Sequence, residues 1–256
     1  MPRARCHWAL LVRTRDALRE AAPAAHAIAI RHRGEFFAGG IAPDALRLFG
    51  GHDKLSTHFY DDQRRETWTQ VVETMRAAAP GVADPAALAP ATQGWLLGYL
   101  AHVLTDIAYW RHVVTALPPF PEHAGVHHGA WVLADQVPIP RDERTLDVDA
   151  IRFDAAPPWV QEGPVRRMIE RIVQRILSRD GMWPVELGYL RRPPGSSAEP
   201  EPSDDDTLAQ LLPEWEEHVC QARLVLPEGT WPAFHDDAVR GAVEAIVAYR
   251  NWDGGR

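Results

Sequence analysis

Apolar positions along this chain recur mostly at helical intervals, and very few segments alternate with the period of a half-buried strand. Between residues 7 and 20, Trp8, Leu11, Val12 and Leu18 share one face, which predicts an amphipathic helix. Residues 61–79, "DDQRRETWTQVVETMRAAA", predict a second helix, with Asp61 or Asp62 as its cap and Pro80 just past its end. Residues 84–114 carry the third and most apolar one. The stretch "GGIAPDALRLFGG" (39–51) is punctuated by glycines and a proline and reads as a loop or turn entering a helix near Asp44. A Pro-rich loop, 116–129, leads to the apolar segment "AWVLADQVP". Farther on, "PVRRMIERIVQRILSRDG" predicts a helix over 164–180, with Pro164 in its first turn and Gly181 at its stop. Residues 191–206, rich in Pro, Ser and acids, read as a flexible loop, and two further helices are expected over about 205–226 and 235–251. The prediction is an all-α, multi-helix protein without internal repeats. A change of character near residue 140 divides it into a helical domain, 1–140, and a helical extension, 141–256, packed on that domain.

Composition narrows the class. The chain has 256 residues, enough for a substantial core, with 46% hydrophobic and 24% charged residues, as in a soluble globular protein. A net charge of −8 argues against nucleic acid as a partner, because phosphate neutralisation needs clustered Lys and Arg. Two cysteines supply neither a disulfide framework nor a thiolate cage, which fits a reducing, cytoplasmic setting. The N-terminal apolar run ends at Arg13, too short for a signal segment, and no stretch approaches the roughly 20 apolar residues needed to span a bilayer.

The helix over 98–110, "GYLAHVLTDIAYW", contains the chain's clearest chemical signal. Ten of these thirteen residues are apolar or Gly, yet His102 and Asp106 stand one turn apart on one face. A buried pair of this kind can simply hydrogen-bond within the core. The chain holds twelve histidines, however, and the His and Asp residues that interrupt apolar segments fall before residue 136. They are His7, Asp44, His58, His102, Asp106, His112, His127 and His128, with Asp135 behind them. Imidazole with carboxylate is the donor set expected for zinc or a similar divalent ion. His32, His52, His123, His218 and His235 sit in polar or loop contexts and read as surface residues.

The succession "FFAGGIAPDAL", "STHF" and "GYLAHVLTD" resembles the bacterial zinc-dependent phospholipase C family, which is related to the fungal zinc nucleases. The resemblance spans about residues 5–135 and implies an all-helical fold with up to three zinc ions between its helices. It would make His7 the N-terminal helix ligand and Asp44 the Pro-Asp carboxylate, with the role of general base. His58, fourteen residues after Asp44, matches the family's next His. His102 and Asp106 match its His-x-x-x-Asp pair, His112 follows by the family's six residues, and His127 or His128 takes the next His position.

Two positions depart from that pattern. The secreted members use the free amine of the mature first residue as a ligand, and nothing near this N-terminus suggests such a cleavage. The family also places a Glu four residues after the second late His, where this chain has Trp131 or Val132; Asp135 is the nearest carboxylate. The resemblance implies a hydrolase in which a metal-bound hydroxide attacks a small-molecule phosphodiester or phosphomonoester, with one to three Zn²⁺ ions as cofactor. Two rival readings remain. The pocket could serve metal-assisted cleavage of another small metabolite, with acyl or amide bonds as candidates. Alternatively, the chain could be a non-catalytic binding subunit with a vestigial site, docking a partner or a second copy through the apolar stripes of helices 164–180 and 235–251. Packing of those stripes on the chain's own core is the simpler expectation.

Overall fold

A computed structural model describes residues 3–120, 122–173 and 204–251, and for 204–212 the backbone path alone. Among the described residues ten α-helices follow one another: α1 (Ala4–Ala21), α2 (Pro23–Arg31), α3 (Arg33–Phe49), α4 (Lys54–His58), α5 (Val71–Ala78), α6 (Pro90–His112), α7 (Ala124–Ala134), α8 (Glu162–Arg171), α9 (Asp204–Val225) and α10 (Thr230–Arg250). Short 3₁₀ turns link several of them, and the described residues contain no strand. The fold is all-α. Most of the loop expected over 191–206 lies outside the described residues.

Helix α6 is the axis of the molecule. From Gly94 to Tyr109 every residue but Leu104 is buried, His102 and Asp106 included. A helix that is apolar nearly all round must be covered on every side. Helix α3 packs along one side of α6 and α10 along another, while α1 and α2 also lean on it. Helix α7 pairs with α9, and α8 lies against α3. The apolar stripe of α10 (Phe234, Ala238, Ala242, Ile246) and that of α8 (Val165, Met168, Ile169) are therefore buried within this chain. The helix expected over 164–180 is described only as far as residue 173.

Two segments differ from the sequence expectation. Residues 39–49 are not a loop: α3 runs unbroken through Gly39, Gly40 and Pro43. The glycines there serve contact rather than flexibility. A Cβ on Gly39 would lie 2.0 Å from the Trp95 carbonyl oxygen, and one on Gly98 would lie 1.8 Å from that of Phe36. Backbones of α3 and α6 touch where side chains would normally hold them apart. Pro43 removes one donor from the ladder, and the packed helix tolerates it. The second departure is the helix expected over 61–79, which breaks into a 3₁₀ turn (Arg65–Thr69) and α5. Side chains capture the backbone there: Thr67 Oγ1 donates to Arg64 O at 2.6 Å, and the Trp68 indole N–H donates to Asp61 O at 2.9 Å. Such local bonds compete with the α-helical ladder.

Candidate metal centre

Five of the nine sequence-predicted ligands converge in the core. His7 comes from α1, Asp44 from α3, His58 from α4, and His102 with Asp106 from α6. All five are buried. His7 Nε2 lies 3.4 Å from Asp106 Oδ1, and His58 Nε2 lies 3.3 Å from Asp106 Oδ2. Asp44 Oδ1 stands 3.7 Å from His58 Nε2 and 4.0 Å from His102 Nε2. The His7 and His102 rings stack at 3.8 Å. Zinc–ligand bonds of about 2.0–2.1 Å in a tetrahedron place ligand atoms roughly 3.3 Å apart, so the observed spacings need little adjustment.

The first test of fit is satisfaction. His7 Nε2, Asp44 Oδ1, His58 Nε2, His102 Nε2 and Asp106 Oδ1 are buried atoms without a hydrogen-bond partner. Each such orphan costs about 1–3 kcal/mol when nothing compensates it. Five orphans aimed at one another are what a cation would satisfy together. Two overlapping triads, His7–Asp44–His102 and His58–His102–Asp106, each have donor atoms within 4.8 Å of one another.

Neighbouring groups fix which imidazole nitrogen faces inward. His102 Nδ1 lies 2.7 Å from the Gly40 carbonyl oxygen, which only accepts, so Nδ1 carries the proton and Nε2 keeps its lone pair. For His58, Thr57 Oγ1 gives its proton to Asp53 O at 2.9 Å and so accepts one from His58 Nδ1 at 2.8 Å. Both Nε2 atoms are thereby presented as ligands, the usual way a surrounding shell orients metal-binding imidazoles. A single Nε2 lone pair serves one ion, so His102 cannot complete both triads at once.

Charge supports the same arrangement. Burial works against ionisation of Asp106, but Lys54, His58 and His7 outweigh it and hold its carboxyl well below the usual range. Asp44 is likewise lowered against burial, chiefly by His58 and His102. Burial and the adjacent His7 drop His102 to about 3, so it is neutral and ligand-competent at ordinary pH. Burial also opposes charge on His58, yet Asp106 and Asp44 raise its pKa. Burial, then Asp135 and Asp106, push the Cys6 thiol far up, so it remains protonated.

The other four predicted ligands lie elsewhere. His112, at the end of α6, meets Asp237 of α10 at 3.0 Å. His127 Nε2 bonds the Pro118 carbonyl oxygen at 2.7 Å. His128 packs among Trp131, Trp215 and His218. Asp135 ends α7, and its Oδ1 accepts the Cys6 amide at 2.9 Å, capping the first turn of α1. His218, expected at the surface, is half-buried, because Gly125 and Gly129 let α9 approach α7.

Several groups that shape the centre escaped the sequence reading. Lys54, one turn before His58 on α4, brings Nζ to 3.7 Å from Asp106 Oδ2. Tyr60 donates to Asp106 Oδ2 at 3.5 Å. The Tyr99 hydroxyl donates to the Thr57 carbonyl and ties α4 to α6. Phe59 closes α4 in the left-handed region at φ 58°, where its ring packs on Tyr99 and Trp159. That turn sends His58 and Tyr60 toward the same carboxylate. The i,i+4 spacing of Lys54 and His58 was the one available signal.

A family model described as zinc dependent phospholipase C matches residues 6–153. No curated protein and no solved structure matches the chain.

Proposed function

The chain belongs to the zinc-dependent phospholipase C family, a family of metal-dependent hydrolases, and from that membership we propose that its buried His/Asp cluster is a one- or two-zinc centre that cleaves a phosphoester. The observation that carries this reading is that five buried residues with unpartnered donor atoms fall into two overlapping triads. Zinc, if held by these residues, would supply acidification of a water and polarisation of a phosphoryl oxygen.

His58 and His102 offer Nε2 atoms as ligands, each ring held by a hydrogen bond on its far side. Asp106 is placed to bridge, with Oδ1 toward His7 and Oδ2 toward His58. His7 and Asp106 together would hold a second ion. Asp44 acts as general base: it is ionised and keeps Oδ1 free of hydrogen bonds. Its side chain is 9% exposed while those of His58, His102 and Asp106 are wholly covered, so it meets entering water first. The residues around them exclude other water, which strengthens each electrostatic contact.

In this reading the described part of the helical extension, beginning with residues 141–173, contributes to the wall of the site. Trp159 packs edge-on against both Phe59 and Tyr99, the residues that position α4. No helix among the described residues is long and apolar enough to cross a membrane, and the substrate in this reading is a small molecule.

Elemental analysis and hydrolysis of chromogenic phosphomono- and phosphodiesters test the proposal together. The expected result is about one to two zinc ions per chain, with turnover lost on chelation and restored by zinc. In Asp44→Asn, turnover per bound zinc should fall ~10²–10⁴-fold, the range for loss of a general base. A chain that takes up no metal on careful reconstitution refutes the centre.

A further inference from the structure

We propose that Lys54 is a substrate-binding residue of this centre, its ammonium placed to grip an anionic oxygen of the phosphoryl group; the inference rests on the phosphoester reading above. Lys54 and His58 lie one turn apart on α4, so ammonium and imidazole project from the same face. The histidines and Asp106 are sealed, whereas the side chains of Asp44, Lys54 and Asp62 are 9%, 15% and 27% exposed. Lys54 therefore stands at the edge of the cluster that solvent reaches, where a substrate must enter.

Its position is held rather than floppy. Nζ is 2.6 Å from Asp62 Oδ1 and sits over the Tyr60 ring at 4.8 Å, with the Trp110 ring at 5.9 Å. The ion pair with Asp62 and the ring faces under the ammonium restrain a residue type that otherwise loses much rotamer freedom on binding. An ammonium has three donors. Asp62 engages one; Asp106 Oδ2, at 3.7 Å, is beyond hydrogen-bond reach. Asp62 Oδ1 is the one hydrogen-bond acceptor for this ammonium among the described residues.

Charge balance gives the ammonium a purpose beyond pairing. Without an ion, Lys54 faces the carboxylates of Asp62 and Asp106. Once a divalent ion takes up the charge of Asp44 and Asp106, Lys54 is left with Asp62 alone beside a new positive centre. An incoming phosphoryl oxygen is then attracted by the ion and by Lys54 together, and a cationic substituent on that side is repelled. This selects substrates that present their anionic oxygen toward α4.

The test uses the full-length, zinc-loaded protein and its Lys54→Met and Lys54→Arg variants. Met keeps an apolar side chain of similar length without the charge, and Arg preserves the charge. Zinc content is measured by elemental analysis, inorganic phosphate binding by calorimetry, and kcat and KM on a chromogenic phosphomonoester. The expected outcome is unchanged zinc in both variants. In Lys54→Met, phosphate affinity should fall roughly 10- to 100-fold, the range for a hydrogen bond to a charged group, with KM raised more than kcat is lowered. Lys54→Arg should stay within a few-fold of the parent. Phosphate binding in Lys54→Met equal to that of the parent overturns the inference while leaving the phosphoester reading intact. Zinc lost in step with phosphate binding also overturns it, because Lys54 would then only support Asp106. A zinc-loaded parent protein that neither binds phosphate nor cleaves the ester overturns the function reading itself, and the inference with it.

Discussion

Substituting Gly98 by Ala should damage the proposed metal centre through a Cβ whose nearest neighbours include none of the candidate ligands. The new Cβ would stand 1.8 Å from the Phe36 carbonyl oxygen and 2.8 Å from the Gly40 amide nitrogen. Carbon and carbonyl oxygen approach to about 3.3 Å at closest, so α3 and α6 must separate by about 1.5 Å. A gap of 0.5–1 Å already forfeits a quarter to a half of each contact's dispersion energy, and overpacking of this sort costs about 1–3 kcal/mol or more. The helix-propensity gain of Ala over Gly returns about 1 kcal/mol. Because the clash involves rigid backbone on both sides, we expect the upper end of the range and a net loss of about 2–3 kcal/mol. For a chain of this length that corresponds to about 5–10 °C in Tm. The functional consequence is larger than the thermal one. Asp44 rides on α3 and His102 with Asp106 on α6, and metal sites tolerate roughly 0.2 Å of ligand displacement. Calorimetric melting with and without zinc, beside elemental analysis, is the assay. Gly163→Ala is the control, since a Cβ there meets nothing within 4 Å. A Gly98→Ala protein melting within about 1 °C of the parent and carrying full zinc would refute the claim that the α3–α6 contact sets the site's geometry.

Other substitutions and conditions separate the ligands from their neighbours. His58→Ala and His102→Ala should each lower bound zinc while the helical circular dichroism persists; unchanged metal in both would leave them as ordinary core histidines. Asp106→Asn should remove most of the metal. Asp135→Ala should instead cost about 1 kcal/mol of stability by uncapping α1, with zinc content unchanged. Chelation should lower Tm by an amount that depends on the zinc concentration it competes with, because the ion binds the folded state alone. The metal-free protein should be most stable near pH 6.5. His102, lowered to about 3, is stabilising above its unfolded pKa of ~6.5 and loses that contribution as pH falls toward 3, at up to ~1.4 kcal/mol per pH unit. His58, raised, contributes fully below ~6.5 and loses its contribution as pH rises through its folded value. Thermal melts of chelated protein from pH 4 to 9 that climb steadily toward either extreme would contradict this pair of assignments.

The sequence announced its helices well where one face had to be apolar, and poorly where a residue's role was set by contact with another helix. Gly39 and Gly40 carry the composition of a break, and nothing local reveals that each lies under a neighbour's backbone or side chain. The clustering of the five candidates was legible because each polar residue interrupts an apolar stretch whose burial was itself predictable, as with His102 and Asp106 in α6. The late ligands were not, for the converse reason. His112 has the right spacing from Asp106, but its partner, Asp237, is 125 residues away on α10. Asp135 looked like a displaced ligand and meets the Cys6 amide 129 residues earlier in the chain. In both cases a carboxylate or imidazole answers an ordinary need, a partner at the end of α6 or a cap for the start of α1, and that need exists only once the helices are assembled. Local sequence tells which polar groups must be buried. Only the packing tells whether one of them finds a hydrogen bond there, as His127 does with Pro118, or is left unpartnered with four others around a space suited to a cation.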